Sequence, residues 1–470
     1  MHITGHAIEV LTPVEIDLIH QGALRILHEM GMEIQNQRLL QVCAASGLSV
    51  DFDRQRVRFP APQVERFLSE VDKFDWENVH PSVTASAGIY HGLYHDPNSG
   101  QLIPWSETNL AYYIALARAL PHIGSASMLG CRLPVPPSLE PLYERFYCWK
   151  YGASEGSSIY LDEICPYLLD LYQVWAAYQQ KPLAEVFRGT VYLVPALRLG
   201  RHEAYQVAYF WERGLRVGIG DMHAMGANAP VTVAGAVTLN LAERIALAML
   251  NQVLYGDRTF HLDISVAPMD MRTLIYPFGR PEQAVVNVVT AQLARHYGVP
   301  FSGHAALTSA KLPSVEVGYQ KALAALPTLL AGGSLWMDAG LLSTDEVYSP
   351  IQMVLDNEFL SALKHMVAEY EVTPETLGID TILEAGPGGN YLDKDHTLSH
   401  FRGELWQPAL WTRQMLRPWL DSGAHLDVDL ARDYVLEVQS QPITPFIPDS
   451  LQTDLLKVIK QAETHFLSHS

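Results

Sequence analysis

His223, His304 and Asp338 are the residues of this chain whose types and positions best suit chemistry. Each ends a short apolar run, and two imidazoles with a carboxylate form a common transition-metal ligand set. No compact ligand motif such as His-Glu-x-x-His accompanies them, so hydrogen-bonding groups in a polar pocket are the preferred reading. His261-Leu262-Asp263 is a weaker coincidence of the same kind. Cys43, Cys131, Cys148 and Cys165 include no Cys-x-x-Cys pair, which removes the usual thiolate zinc site and fits a reduced, cytoplasmic protein. The chain lacks a Gly-x-Ser-x-Gly nucleophile turn and a Gly-x-x-x-x-Gly-Lys-Ser/Thr phosphate loop. Aromatic residues remain: Tyr94 and Trp105, Tyr276 and Phe278, and Trp336 and Tyr348 all fall in segments expected at a rim. Ring faces attract quaternary ammonium groups by roughly 0.5–2 kcal/mol per ring, although each of these rings could equally pack a core.

The elements that must position these residues alternate along the chain. Apolar runs at 123–130, 158–162, 189–195, 217–222, 260–266, 299–304, 335–339 and 382–385 read as strands. Amphipathic segments at 140–151, 167–178, 202–213, 231–255, 281–297 and 314–331 read as the helices between them. Eight such strands predict a TIM-type (β/α)8 barrel, with function at the C-terminal strand ends. An open doubly wound sheet has the same period, but no Gly-x-Gly-x-x-Gly follows any strand. The expected domains are an N-terminal helical region with a hairpin over 1–120, the barrel over 121–390, and a helical extension over 391–470. The N-terminal region opens on a helix at 13–30, with Thr12 as cap, Pro13 in the first turn and Glu15 completing a capping box. Gly88–His95 and Gln101–Pro104 flank the turn Asp96-Pro97-Asn98-Ser99-Gly100 and predict the hairpin. Leu451, Leu455, Ile459, Ala462 and Phe466 give the last helix one apolar face. Apolar faces at both ends of the chain predict a homo-oligomer.

Composition excludes several classes. With 32 basic against 51 acidic residues the formal charge is −19, which disfavours a nucleic-acid partner or an anionic membrane surface. The N-terminal residues show no secretion signal. The most apolar stretch, 229–254, carries Asn240, Glu243 and Arg244 and therefore reads as a buried helix, not a membrane span.

Five ordered blocks resemble the trimethylamine methyltransferase family, in its wider, pyrrolysine-lacking branch. After the 11–31 opening they are Gly226-Ala227-Asn228-Ala229-Pro230 through Gly235; Met269-Asp270-Met271-Arg272-Thr273 with Gly279 and Pro281-Glu282; and Gly318–Leu323 with Val354–Glu358. The closing block is Gly386-Pro387-Gly388-Gly389-Asn390-Tyr391-Leu392, followed by Asp395-His396-Thr397 and Glu404-Leu405-Trp406. The resemblance implies a barrel whose rim receives the cobalt of a separate corrinoid protein, with no cofactor bound tightly by the chain itself. It also implies a methylated amine substrate. Where the trimethylamine enzyme carries pyrrolysine, the 340–350 loop here holds only standard residues, which favours a quaternary amine such as glycine betaine, proline betaine or a carnitine-like compound.

A quaternary nitrogen leaves as a neutral tertiary amine, so its demethylation requires no acid, base or covalent nucleophile from the protein. The protein's share is to hold and aim the cation. Tyr94, Trp336 and Tyr348 are expected to form an aromatic wall, with Asp338 near the cation. His223 and His304 are expected to bind the carboxylate or to orient the groups that do. Two other readings stand beside this one: a metal-dependent barrel hydrolase using His223, His304 and Asp338, and a non-catalytic subunit that binds quaternary amines.

Overall fold

The computed structural model describes residues 8–128, 130, 133–154, 156–193, 196–263 and 265–467. The side chains of His304 and Leu467 fall outside that description, as do the expected residues Cys131 and Pro195.

The chain opens as its caps dictate. The Thr12 hydroxyl accepts the Glu15 amide, while the Glu15 carboxylate accepts the Thr12 amide at 2.8 Å, and the helix Pro13–Arg25 runs on through a wider turn at Ile26–Met30. Gly31, at φ 67°, ends it where a Cβ would strike the Val57 carbonyl. The expected hairpin forms, Leu93–His95 pairing antiparallel with Leu102–Ile103.

The centre of the molecule is a parallel β layer. Val83–Ile89 pairs with Ala126–Met128, and Ser127 bridges to Ser154. Ser158 bridges to Thr190, and Thr190–Leu193 pairs with Gly218–Asp221. Two residues further on, His223–Met225 pairs with Val266–Pro268, while Leu262 in the same run bridges to Phe301. Ser302–His304 then pairs with Ser334–Asp338, which pairs back with Val83–Ile89. All of these pairings are parallel, as expected of strands joined by crossover helices.

Two expectations change. Residues 382–385 are not a strand but part of the helix Ile379–Ala385. The run is too short for periodicity to separate strand from helix, and no neighbouring strand offers it a ladder. The parallel strand absent from the expected set is Val83–Ile89, inside the region assigned to 1–120; its Val-Thr-Ala-Ser-Ala-Gly-Ile sequence is rich in small residues with weak β preference. The parallel set therefore spans 83–338 rather than beginning at 121.

Alternation divides each strand between two faces. Leu335 and Met337 are fully buried and contact the helix Val315–Leu330, whereas Trp336 between them is open. Val191 and Leu193 are likewise sealed while Tyr192 is open. The helix Val233–Tyr255 is the one described helix long and apolar enough to cross a membrane, and two-thirds of its apolar window is buried inside this fold. The helices Asp427–Gln439 and Asp449–Leu467 pack back onto Pro350–Met366 and Cys165–Gln179 respectively. Between Lys364 and Leu430, by contrast, no residue is buried.

Candidate functional site

Two groups of aromatic rings flank Asp338. In the first, Tyr348 and Tyr94 sit opposite each other in parallel register, 0% and 2% exposed. Trp105 lies 5.1 Å from Tyr94 and 5.8 Å from Tyr348, and edge-on to Tyr113 at 5.4 Å. Their hydroxyls are occupied: Gln439 donates to Tyr94 at 3.0 Å, Tyr348 donates to the Asp345 carbonyl at 3.0 Å, and Tyr113 donates to the Ala339 carbonyl at 3.3 Å. Burial, followed by the charge of Asp345, holds the Tyr348 phenol well above its ordinary value. This corrects the expected wall, because a ring with no exposed surface and a satisfied hydroxyl has no face to offer a ligand. Tyr94 and Tyr348 are core.

The second group keeps its faces open. Trp336 is 38% exposed and shares a strand face with Asp338, two residues on. Tyr192 is 50% exposed, yet its phenol is pushed up, first by burial and then by the negative potential of Glu144, Tyr90 and Asp338. A ring that is open to solvent but desolvated faces a recess. Its position depends on Gly220, where a Cβ would come within 2.7 Å of the Tyr192 Cε1. Tyr160 is partly open, and its phenol is raised by burial and by Glu144, Tyr90 and Glu140, against a hydrogen bond with Ser158. Tyr90 stacks on His91 at 4.5 Å, and His91 pairs with Glu140 at 2.7 Å. Asp338 lies close over Gly88, where a Cβ would be 3.0 Å from its Oδ1. Tyr192 thus lies within electrostatic reach of Tyr90, Glu144 and Asp338, and Tyr160 within that of Tyr90 and Glu144, while Trp336 shares the strand face of Asp338; together they are the candidate binding recess.

Glu144 acts electrostatically on both Tyr160 and Tyr192. It is fully buried, its carboxyl raised to about 7 by burial despite the adjoining Arg145, which donates to it at 3.3 Å. Its carboxylate occupies the space a Gly156 side chain would fill.

His223 belongs elsewhere. It is buried among groups from the helix Val233–Tyr255: its Nδ1 lies 2.8 Å from the Asn240 amide nitrogen, which also donates to Asp221 Oδ2 at 2.7 Å. Because that amide donates to both, the neutral imidazole carries its proton on Nε2, 3.6 Å from Glu243 Oε1. Glu243 accepts the Leu197 amide, and burial beside Asp221 raises its carboxyl to about 8. Burial lowers the His223 imidazole. Asp221, His223 and Glu243 bring ligand atoms within 4.8 Å of one another and are the grouping among the described residues that could hold a metal. His223 Nε2 and Glu243 Oε1 are buried with no hydrogen-bond partner, while Asn240 holds the Nδ1 side of the ring. Of the expected set, His223 is bonded to the helix Val233–Tyr255 while Asp338 acts on Tyr192, and the two share no ligand grouping among the described residues. The His304 side chain lies outside the described residues.

The sequence reading missed Tyr90, Tyr160 and Tyr192. The signal was present in Thr190-Val191-Tyr192-Leu193, where alternation separates sealed Val191 and Leu193 from the open Tyr192. Outside the recess, a surface groove of about 480 Å³ is lined by Gln35, Asp162, Arg201 and Tyr205 among others. It offers a cation a single aromatic face.

The model of the trimethylamine methyltransferase family matches residues 186–466. This chain belongs to that family. The trimethylamine methyltransferase of Desulfitobacterium hafniense is 23% identical over 99% of this chain and 96% of its own length. That of Methanosarcina barkeri is 27% identical over 99% and 97%. A glycine betaine methyltransferase of Desulfitobacterium hafniense is 25% identical over 87% of this chain and 88% of its own. Family membership makes this chain a methyltransferase and sets the hydrolase reading aside.

Proposed function

We propose that this methyltransferase takes a methyl group from a quaternary amine, glycine betaine foremost, and passes it to the Co(I) corrinoid of a separate cognate protein. We further propose that its parallel strands close into a TIM-type (β/α)8 barrel. The order of parallel pairings, which leaves Val83–Ile89 on one side and returns to it on the other, supports the closure. The recess would then open at the C-terminal strand ends, where barrel enzymes place their sites.

The observation that carries the substrate class is the set of partly open rings Tyr90, Tyr160, Tyr192 and Trp336, with Asp338 acting on Tyr192 and sharing the Trp336 strand face. Desolvated ring faces hold a quaternary ammonium by its charge, with roughly 1–2 kcal/mol from each well-placed ring, and Asp338 adds a full counter-charge. Such a group cannot donate a hydrogen bond, so a hydroxyl or amide wall would gain nothing from it. In the reaction the methyl carbon–nitrogen bond breaks, its electron pair stays on nitrogen, and dimethylglycine leaves as a neutral amine. The corrinoid supplies the nucleophile that accepts the methyl group. The rings keep the head group fixed with one methyl outward, and the recess keeps water from its positive charge.

Calorimetric titration with glycine betaine tests the recess, and loss of Co(I) absorbance with appearance of dimethylglycine tests the transfer. Trp336→Ala is expected to raise the betaine Kd about tenfold. Wild-type protein that neither binds a betaine nor demethylates one in the presence of reduced cobalamin would sink the proposal.

A further inference from the structure

His91 and Glu140 are a charged pair for which methyl transfer itself has no use. His91 follows the strand Val83–Ile89 by two residues, and its Nε2 lies 2.7 Å from Glu140 Oε2. A carboxylate can only accept, so Nε2 donates. The Glu140 side chain, at the start of the helix Glu140–Tyr151, is 9% exposed, and a carboxylate so enclosed requires a donor. The imidazole is fixed by its faces as well. It stacks on Tyr90 with 9° between the planes and stands edge-on to Tyr160 at 6.4 Å, so it touches two of the four rings of the candidate recess. A Cβ on Gly130 would come within 2.8 Å of the ring, and the absence of one makes room for it. Nδ1 has no hydrogen-bond partner among the described residues, and the side chain stays partly open.

A betaine is a zwitterion, and selecting it takes complementary charge at both of its ends. The acids that act on Tyr160 and Tyr192 are Glu144, Glu140 and Asp338, which suit an ammonium and repel a carboxylate. His223, expected to meet the carboxylate, is sealed against the helix Val233–Tyr255. His91 is placed differently. Asp338 lies over Gly88, three residues before His91, so an acid and an imidazole stand at the end of one strand with Tyr90 between them. We propose that His91, as an imidazolium held by Glu140, binds the carboxylate of the substrate through Nδ1 and so selects quaternary amines that carry one. The proposal rests on the quaternary-amine reading of the recess and narrows it. One ring nitrogen donates to Glu140 and the other to the ligand, two charge-assisted bonds that fix the ring between them. Glu140 is the positioning residue, because its bond to Nε2 decides which nitrogen faces the ligand.

Calorimetric titration of the full chain with glycine betaine, choline and tetramethylammonium tests this. Choline ends in a hydroxyl where glycine betaine has its carboxylate, and tetramethylammonium has neither. The wild type is expected to bind glycine betaine at least about tenfold more tightly than either of the other two. His91→Gln keeps a donor for Glu140 but carries no charge. It is expected to lose about tenfold in betaine affinity while its affinity for tetramethylammonium stays unchanged. Glu140→Gln is expected to show the same split to a smaller extent. A wild type that binds choline as tightly as betaine overturns the proposal and leaves the quaternary-amine reading standing, whereas one that binds none of the three overturns both. A His91→Gln variant whose affinities for betaine and tetramethylammonium fall together, or do not fall at all, overturns it as well. If neither variant accumulates, the wild-type preference between betaine and choline decides alone.

Discussion

Trp105, Tyr94, Tyr113 and Tyr348 on one side of Asp338, and Tyr90, Tyr160, Tyr192 and Trp336 on the other, use the same residue types for opposite ends. In the first group every phenol has a protein partner and the rings press edge to face, so their area is spent on stability. In the second the rings keep partly bare faces in a desolvated setting, a poor use of apolar area unless something else covers them. Both groups feel Asp338, which depresses ionisation of Tyr113 and Tyr348 as well as Tyr192. What separates the sealed group from the candidate site is therefore neither residue type nor nearby charge, but how much of each side chain stays exposed.

The comparison can be broken most forcefully from the sealed side. Tyr348→Ala should cost about 3–5 kcal/mol of stability, visible as a large fall in Tm, because it empties a fully packed position. Whatever folded protein remains should bind betaine nearly as before. A large rise in Kd at unchanged Tm would instead return Tyr348 to the ligand wall.

The sealed polar group around His223 predicts a signature in stability alone. Glu243 titrates near 8 in the fold, above its ordinary 4.5, so the stability it contributes is complete below the unfolded value and is lost as pH rises through the folded one. Glu243→Gln cannot ionise and keeps an acceptor for the Leu197 amide. Its Tm relative to wild type should therefore climb by several degrees between pH 6 and pH 9. A Tm difference that stays flat over that range would mean Glu243 is already ionised at neutral pH.

On the open side, Trp336→Ala or Tyr192→Ala should weaken betaine binding by roughly 1–2 kcal/mol with a shift in Tm of only a few degrees, as titration and melting together would establish. Gly220→Ala should have the smallest effect, a loss of about 0.5–1 kcal/mol in binding, because the new methyl group only tilts the Tyr192 ring. Unchanged affinity in that variant would show that the ring is not held in place by its glycine neighbour.

Much of the architecture was legible because strand and helix periods differ. The helices 140–151 and 281–297 begin and end where expected, and the capping box at Thr12 and Glu15 forms as its spacing requires. Val83–Ile89 was not legible, since its strand character comes from the ladders on either side rather than from its small residues. The candidate site was half legible. Trp336 and Asp338 follow from being two apart at a strand end. Tyr94 and Tyr348 misled, because exposure is decided by Trp105, Tyr113 and Gln439, which reach them from distant parts of the chain. His223 misled for a related reason: in the order Asp221-Met222-His223 the two polar residues point to the helix layer, and only contact with Asn240 reveals it.

Asn240 carries a wider meaning than its burial suggests. One carboxamide, by giving both of its hydrogens away to Asp221 and His223, fastens a strand to the helix behind it like a rivet. An aspartate there would accept rather than donate, moving the imidazole hydrogen to the inner nitrogen and baring the outer one. A single exchange of nitrogen for oxygen would thus rewire the fastening between two layers of the fold.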